Sequence, residues 1–470
     1  MTPAAIVLTA ALGGGPAAAA GRMQSMVQVA PNHRFLVRAD GTPFFWLADT
    51  AWLLFYRLDR EEAERYLTAR ARQGFTVLQV MGIVEFEELR MPNAYGEQQF
   101  IDRDPLRPNE KFYAHVDWII RRAGELGLTI AFLATWGDKV GPVLWGKGPV
   151  IFNENVARTY GAWLGTRYRT TPNLIWVLGG DRPPVQDDAP GGVKDFRPVW
   201  RAMAAGLKAG DGGVHLMTYH PMGGSSTSTH LHAEPWLDFN MIQSGHGARN
   251  PHNWAVIDHD YSLAPPKPTL DGEADYEDHP VNWKQENGWF DDLDVRRTAY
   301  WAVFAGAFGH TYGSTPTFLF QKPGTEMGAF GGRRTWEEAL ALPGANQMKY
   351  LRGLVESRPF LTRIPDQSLL VGDACAGPDH AQATRDADGS WAFIYLASGR
   401  PVTIRADRLT GTTLTAAWFN PRTGGVAPIG PQPRTGSPTF TPPMQGPGLD
   451  WVLVLDDAAR AFPPPGGGIQ

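Results

Sequence analysis

The sequence predicts a (β/α)8 barrel followed by a small antiparallel β-sandwich. Three observations lead to it. From about residue 34, short apolar runs alternate with amphipathic helical segments, the pattern of a parallel sheet covered by helices. Eight such units occur and no G-x-G-x-x-G turn follows the first strand, which favours a closed barrel over a doubly wound dinucleotide-binding sheet. After about residue 357 the helical period stops and short strands separated by turn residues replace it.

The elements follow in order. Arg34–Val37 and Pro43–Leu47 flank Asp40-Gly41, a hairpin turn signal. A helix opens at Leu58-Asp59-Arg60-Glu61-Glu62 and runs to about Arg72, with Asp59 as N-cap and Gly74 past its end. Phe75–Met81 reads as a buried strand. Helix Phe112–Leu126 stops at Gly127 and leads into strand Leu128–Ala134. Helix Val156–Tyr168 leads to strand Asn173–Leu178, and helix Pro198–Lys208 to the strands Val214–Tyr219 and Phe239–Gln243. Pro268-Thr269-Leu270 is the seventh strand, Leu293–Phe304 its helix, and Gly309–Tyr312 marks the eighth. A helix at roughly Gly344–Glu356 ends a barrel spanning 33–357. Residues 366–457 hold Trp391–Leu396, Val402–Ile404, Leu414–Phe419 and Trp451–Leu455, separated by Asp388-Gly389 and Thr423-Gly424-Gly425. This sandwich is expected to cap the barrel. The Pro/Gly-rich tail, 458–470, is expected to be disordered.

Composition narrows the function. The 43 basic and 48 acidic residues give a net charge of −5 with no basic run, so nothing electrostatic calls for a nucleic-acid partner. A single cysteine, Cys375, excludes an intrachain disulfide framework and a Cys-based zinc cluster. No 18-residue apolar stretch suggests a membrane span. Ala4–Leu12 is apolar and is followed by a small-residue stretch to Gly21, so residues 1–21 resemble a secretory signal and point to a periplasmic or secreted protein. Met1-Thr2-Pro3 lacks the basic start of such signals, leaving an Ala/Gly-rich leader as the alternative. Oligomeric state is not indicated.

In a TIM barrel the reactive groups sit at the C-terminal ends of the strands. The fourth strand ends in Gly179-Gly180-Asp181 and the seventh in Asp271-Gly272-Glu273, which sets two carboxyl groups across one mouth. Glycoside hydrolysis needs such a pair, one to protonate the leaving oxygen and one to attack or activate water at the anomeric carbon. The structural alternative is that Asp181 caps the next segment while Glu273 pairs with Arg296 or Arg297. Other strand ends offer Asp49, Trp52, Trp136, Asp138, His220, His246, Tyr276, His310 and Tyr312 as sugar contacts, through hydrogen bonds or ring stacking. Each is as readily a satisfied structural residue. Trp46 and Trp176, within strands, are expected in the core.

Several of these motifs occur together: Asp40-Gly41-Thr42-Pro43-Phe44-Phe45-Trp46-Leu47-Ala48-Asp49-Thr50-Ala51-Trp52; Glu64-Arg65-Tyr66-Leu67 with Gln73-Gly74-Phe75-Thr76-Val77-Leu78-Gln79-Val80; Gly179-Gly180-Asp181; and Asp271 to Glu277. Over residues 33–357 the chain resembles the apiosidase-like glycoside hydrolases (glycoside hydrolase family 140), and the following sandwich resembles the collagen-binding-type domain often appended to them. The resemblance implies a retaining barrel enzyme with Asp181 as acid/base and Glu273 as nucleophile, acting on pectin side chains such as the apiose-linked ones of rhamnogalacturonan II. Many related barrels use Glu where Asp181 stands. Glu277 is the local competitor for nucleophile. Retention requires carboxyl groups about 5–5.5 Å apart, and inversion about 6.5–9.5 Å. Asp181 must have a raised pKa, to which a negative Glu273 contributes. No cofactor and no metal are expected.

Two other functions compete. A metal-dependent barrel hydrolase is suggested by His230-Leu231-His232, but that pair follows a Gly/Ser/Thr loop rather than the first strand. A carbohydrate-binding protein with a non-catalytic barrel would keep the aromatic residues and need neither carboxylate.

Overall fold

The computed structural model describes residues 27–85, 89–141, 145–187, 192–324, 329–372 and 374–467. The signal-like leader lies outside the described residues. A three-stranded antiparallel sheet, Val27–Val29, Leu36–Arg38 and Pro43–Phe44, comes first. Eight parallel strands then form a barrel: β1 (Trp46–Thr50), β2 (Val77–Met81), β3 (Thr129–Leu133), β4 (Leu174–Gly179), β5 (Met217–His220), β6 (Asn240–Gln243), β7 (Thr269–Glu273) and β8 (Gly309–Tyr312). Each pairs with the next in order and β8 pairs back to β1, except across β5 and β6. There a short bridge closes the ring: Asp238 N donates to Met217 O (2.8 Å), and Met217 N donates to the Asp238 carboxylate (2.7 Å).

Seven long helices surround the strands: α1 (Arg60–Arg72), α2 (Glu110–Glu125), α3 (Glu154–Tyr168), α4 (Arg197–Asp211), α5 (Asn253–Ser262), α6 (Asp292–Phe304) and α7 (Pro343–Glu356). Between β5 and β6 only the single turn Ser228–Leu231 is helical. The start of α1 is encoded locally: the Asp59 carboxylate accepts from Glu62 N at 2.9 Å while the Glu62 carboxylate accepts from Asp59 N at 3.0 Å, so two orphan amides are satisfied reciprocally. Inside the barrel, Trp46 packs edge-on against Phe239 and Phe308, and Gln79 Nε2 reaches across from β2 to Gly272 O on β7 at 2.7 Å.

The C-terminal part is a six-stranded antiparallel sheet in the order β9 (Arg363–Pro365), β10 (Ala381–Asp386), β11 (Trp391–Leu396), β14 (Trp451–Asp457), β12 (Thr413–Phe419) and β13 (Val426–Pro433). A ribbon of Val402–Thr403 and Thr439–Phe440 forms its second layer. Side chains along β11 and β14 alternate between two cores. Phe393, Tyr395, Val452 and Val454 join the barrel's core, whereas Ile394, Leu396, Leu453 and Leu455 build the sandwich's own. That two-sided burial is why both strands read as unbroken apolar runs. β13 escapes notice in the sequence because Pro428, Pro431 and Pro433 interrupt it; as an edge strand it has a side on which the missing N–H groups cost no ladder bond.

The sheet is welded to α6. Tyr300 stacks on Tyr395 and Phe304 on Phe393, with centroids 4.8 and 6.0 Å apart. Arg296 forks onto Asp450 through Nε (3.0 Å) and Nη2 (2.9 Å), both partners fully buried, and Arg358 grips Asp456 in the same way. The expected disorder of the tail is corrected by the structure as far as Gly467. Phe462 packs on the shared core beneath Arg358, whose Nη1 donates to Pro463 O at 3.0 Å. A Pro/Gly-rich segment is held here by one aromatic anchor and one guanidinium. Removing one partner of a buried ion pair leaves an uncompensated charge. The substitution Asp450→Ala is therefore expected to destabilise the whole chain by about 3–5 kcal/mol, read from the midpoint of urea unfolding.

Candidate active site

The end of β4 turns sharply. Gly179 and Gly180 adopt φ of 85° and 106°, and Asp181 follows at 50°, a left-handed conformation that L side chains adopt at some cost. A Cβ on Gly179 would lie 2.4 Å from His220 O, and one on Gly180 would lie 2.7 Å from the Trp136 ring. Only glycine fits there. The turn is clamped from behind: Arg182 Nη1 donates to Asp181 O (2.9 Å), and Tyr219 OH donates to Arg182 O (2.7 Å).

Glu273 is the last residue of β7. Its Oε1 accepts from His246 Nε2 at 3.0 Å, and its Oε2 lies 3.1 Å from His220 Nε2. His220, at the end of β5, also points Nδ1 toward Pro221 O (3.2 Å) and stands 3.7 Å from Asp181 Oδ1. Oxygens of the Asp181 and Glu273 carboxyls and a His220 nitrogen all lie within 4.8 Å of one another.

The electrostatics set the two acids apart. Burial, then the negative charge of Glu273, pushes Asp181 up to about 8. Burial alone would raise Glu273 as well, but hydrogen bonds from His220 and His246, together with their charge, outweigh it and hold its carboxyl well below the usual range. Burial disfavours charge on His220, yet its contact with Glu273 and the charges of both carboxyls raise its pKa overall. Near neutral pH the site holds one protonated and one ionised carboxyl. That division is what acid-assisted displacement at a single carbon needs.

The pair opens into a cavity of about 990 Å³ whose wall includes Trp52, Trp136, His246 and Tyr276. Trp52 packs edge-on to Trp136 (5.2 Å), and both rings contact His220 beneath them. Tyr276 is buried beside Glu273, with its ring 4.3 Å from that of His246. Four expected sugar contacts lie elsewhere. The Asp49 carboxylate accepts from Tyr66 OH (2.5 Å) and Arg70 Nε (2.6 Å), both on α1, so it ties strand to helix. Asp138 is fully buried against Lys139 Nζ and Gly148 N, each at 2.9 Å. His310 is enclosed, and burial pushes its imidazole down to about 3. Tyr312 OH donates to Glu277 at 2.7 Å.

Glu277 also accepts from Gly344 N (3.1 Å) at the start of α7 and stands outside the cavity lining. The alternative partners of Glu273 are engaged elsewhere, Arg296 with Asp450 and Arg297 with Asp294. The cavity also recruits Glu85, Trp145, Gln243, Trp283 and Phe330. Gln243 ends β6 and so obeys the strand-end rule. The other four lie beyond strand ends in loops, where no period marks them.

Comparison with known proteins shows the family. The apiosidase-like catalytic domain matches residues 30–362. The chain belongs to the apiosidase-like family of glycoside hydrolases. Residues 364–456 match a family described as a collagen-binding domain of a collagenase. Among solved structures, a glycoside hydrolase is 35% identical with TM-score 0.83, covering 93% of this chain and 97% of that one. A family 5 glycoside hydrolase from Bacteroides vulgatus is 32% identical with TM-score 0.83, covering 94% and 96%. An α-amylase from Malbranchea cinnamomea, 10% identical with TM-score 0.54 over 88% of this chain and 96% of that one, shares the fold alone. No curated protein matches the chain.

The apiosidase-like site makes its own prediction about His246. A hydrogen bond to a charged group is worth about 1.5–3 kcal/mol, and about 1.4 kcal/mol equals one pH unit. His246→Ala removes such a bond and raises the Glu273 pKa. The acid limb of kcat/KM is then expected to move upward by about 1–2 pH units, measured from a pH–rate profile against wild type.

Proposed function

We propose that this chain is a retaining glycoside hydrolase of plant cell-wall polysaccharide, removing pectin-type side chains and in particular apiosyl residues, with Asp181 as acid/base and Glu273 as nucleophile. One observation carries the mechanism: carboxyl oxygens of the two residues lie within 4.8 Å of one another. Oxygens this close favour a retaining pair, separated by about 5–5.5 Å, over an inverting one at about 6.5–9.5 Å.

The chemistry follows from the charges. Glu273, ionised and held by two histidines, attacks the anomeric carbon from one face. Asp181 passes its proton to the glycosidic oxygen, the bond from carbon to that oxygen breaks, and a glycosyl ester forms on Glu273. Esterification removes the negative charge of Glu273, one of the causes that raise Asp181. With that cause gone the Asp181 pKa falls, so the carboxyl stays ionised after giving up its proton and can act as the base that takes a proton from the incoming water. Water attacks the same carbon from the side the leaving group vacated, and Glu273 is released with net retention.

The family's name supports an apiosyl substrate, and the signal-like leader supports export to where pectin is met. A barrel that only bound carbohydrate would need neither the protonated nor the ionised carboxyl. The metal-dependent reading is disfavoured by His220, whose Nδ1 faces a carbonyl and whose Nε2 faces Glu273, so both ring nitrogens already face oxygens of the protein. His232, of the candidate pair with His230, is hydrogen-bonded to Asn240 and Pro265 O.

Pectin oligosaccharides and aryl glycosides, including apiosides, form the test panel. Glu273→Gln is expected to abolish turnover, and Asp181→Asn to lower kcat about 10²–10⁴-fold. Proton NMR of the first product anomer is expected to show the substrate's configuration; the opposite anomer would exclude a glycosyl ester. Because Asp181 must hold its proton, kcat/KM is expected to fall as pH rises through about 8. Incubation with EDTA followed by desalting is expected to leave the rate unchanged.

A further inference from the structure

Two tryptophans stand about half exposed on the cavity wall, Trp145 at 46% and Trp283 at 56%. Their neighbours associate one with Glu273 and the other with Asp181. Trp283 meets His246, the partner of Glu273, edge-on with centroids 5.8 Å apart. Trp145 belongs to the side of Asp181. The guanidinium of Arg182, the very next residue, covers one face of the Trp145 ring at 4.2 Å. That guanidinium also donates to Asp181 O (2.9 Å), to Glu85 Oε1 (2.8 Å) and to Trp145 O. One buried cation thus fixes the backbone of the proposed acid and both the ring and backbone of this tryptophan.

The segment that follows Trp145 is equally constrained. Asp138 accepts from Gly148 N and from Lys139 Nζ, each at 2.9 Å. A Cβ on Gly146 would stand 3.0 Å from both Asp138 and Glu85, so the backbone lies flat against those carboxylates. An indole held this firmly loses little conformational freedom when a flat apolar surface settles on its uncovered face. The acid touches the glycosidic oxygen, and the group on the far side of that oxygen is the leaving group.

We propose that Trp145 is the platform of the leaving-group subsite, stacking on the apolar face of the sugar ring that departs when Asp181 protonates the glycosidic oxygen. This rests on the assignment of Asp181 as acid and Glu273 as nucleophile. Trp145 does not touch the reacting carbon; it determines which leaving groups are accepted. The enzyme therefore favours glycosidic bonds to another sugar over bonds to small alcohols.

The test compares two substrates with the same cleaved sugar: a rhamnogalacturonan II side-chain oligosaccharide and the matching glycosyl fluoride. Fluoride is too small to reach the ring and leaves without a proton. Trp145→Ala is expected to lower kcat/KM for the oligosaccharide about five- to tenfold, the scale of one aromatic stacking contact, and to keep the fluoride within about twofold of wild type. Trp145→Phe, which keeps a ring, is expected to restore most of the loss. Equal losses on both substrates, or no loss on the oligosaccharide, overturn the subsite. Glu273→Gln separates the two ideas: it is expected to stop both reactions, and its continued turnover of both would overturn the nucleophile assignment whatever Trp145 does.

Discussion

The site is organised around a buried imidazole between two carboxyl groups. His220 stands 3.1 Å from Glu273 and 3.7 Å from Asp181, buried beneath the cavity that the two acids line. In that setting two carboxylates cannot both remain ionised without a large electrostatic cost. The imidazole favours ionisation of the group it approaches more closely, and the proton resides on the other. Strand order turns this into a usable geometry: β5 carries the imidazole, while β4 and β7 deliver the two acids from either side of the ring of strands. The two glycines ending β4 complete it, since any side chain there would collide with His220 O or the Trp136 ring.

Much of this was legible in the sequence, for identifiable reasons. Alternating apolar strands and helices reveal a covered parallel sheet, and the barrel rule picks out the residues at strand ends. Asp181 and Glu273 meet the same cavity as Trp52, Trp136, His246 and Tyr276, with His220 beneath. The rule does not say which way a side chain turns at a strand end. Asp49 turns toward α1 because Arg70 and Tyr66, a turn apart on that helix, offer it donors. Asp138 turns into its own loop, where Lys139 and Gly148 N receive it, and Tyr312 turns to Glu277. Partners that lie off the strand itself decided each case.

Loops beyond the strands were the least legible part. Trp145 and Trp283 line the cavity only because a cation, close glycine approaches and neighbouring histidine rings fix them there. The sandwich presents the complementary problem. β11 and β14 were visible as apolar runs, whereas the polar β10 and the proline-interrupted β13 were not, since what makes them strands is the partner they pair with.

One helix serves both the barrel and the sandwich. α6 leads from β7, which ends in Glu273, to β8, and on its outer side it gives up Tyr300, Phe304 and Arg296 to the appended sheet. A detachable adaptor would leave that helix a polar back. Here the back is aromatic, so a barrel parted from its companion sheet would leave a greasy surface in water.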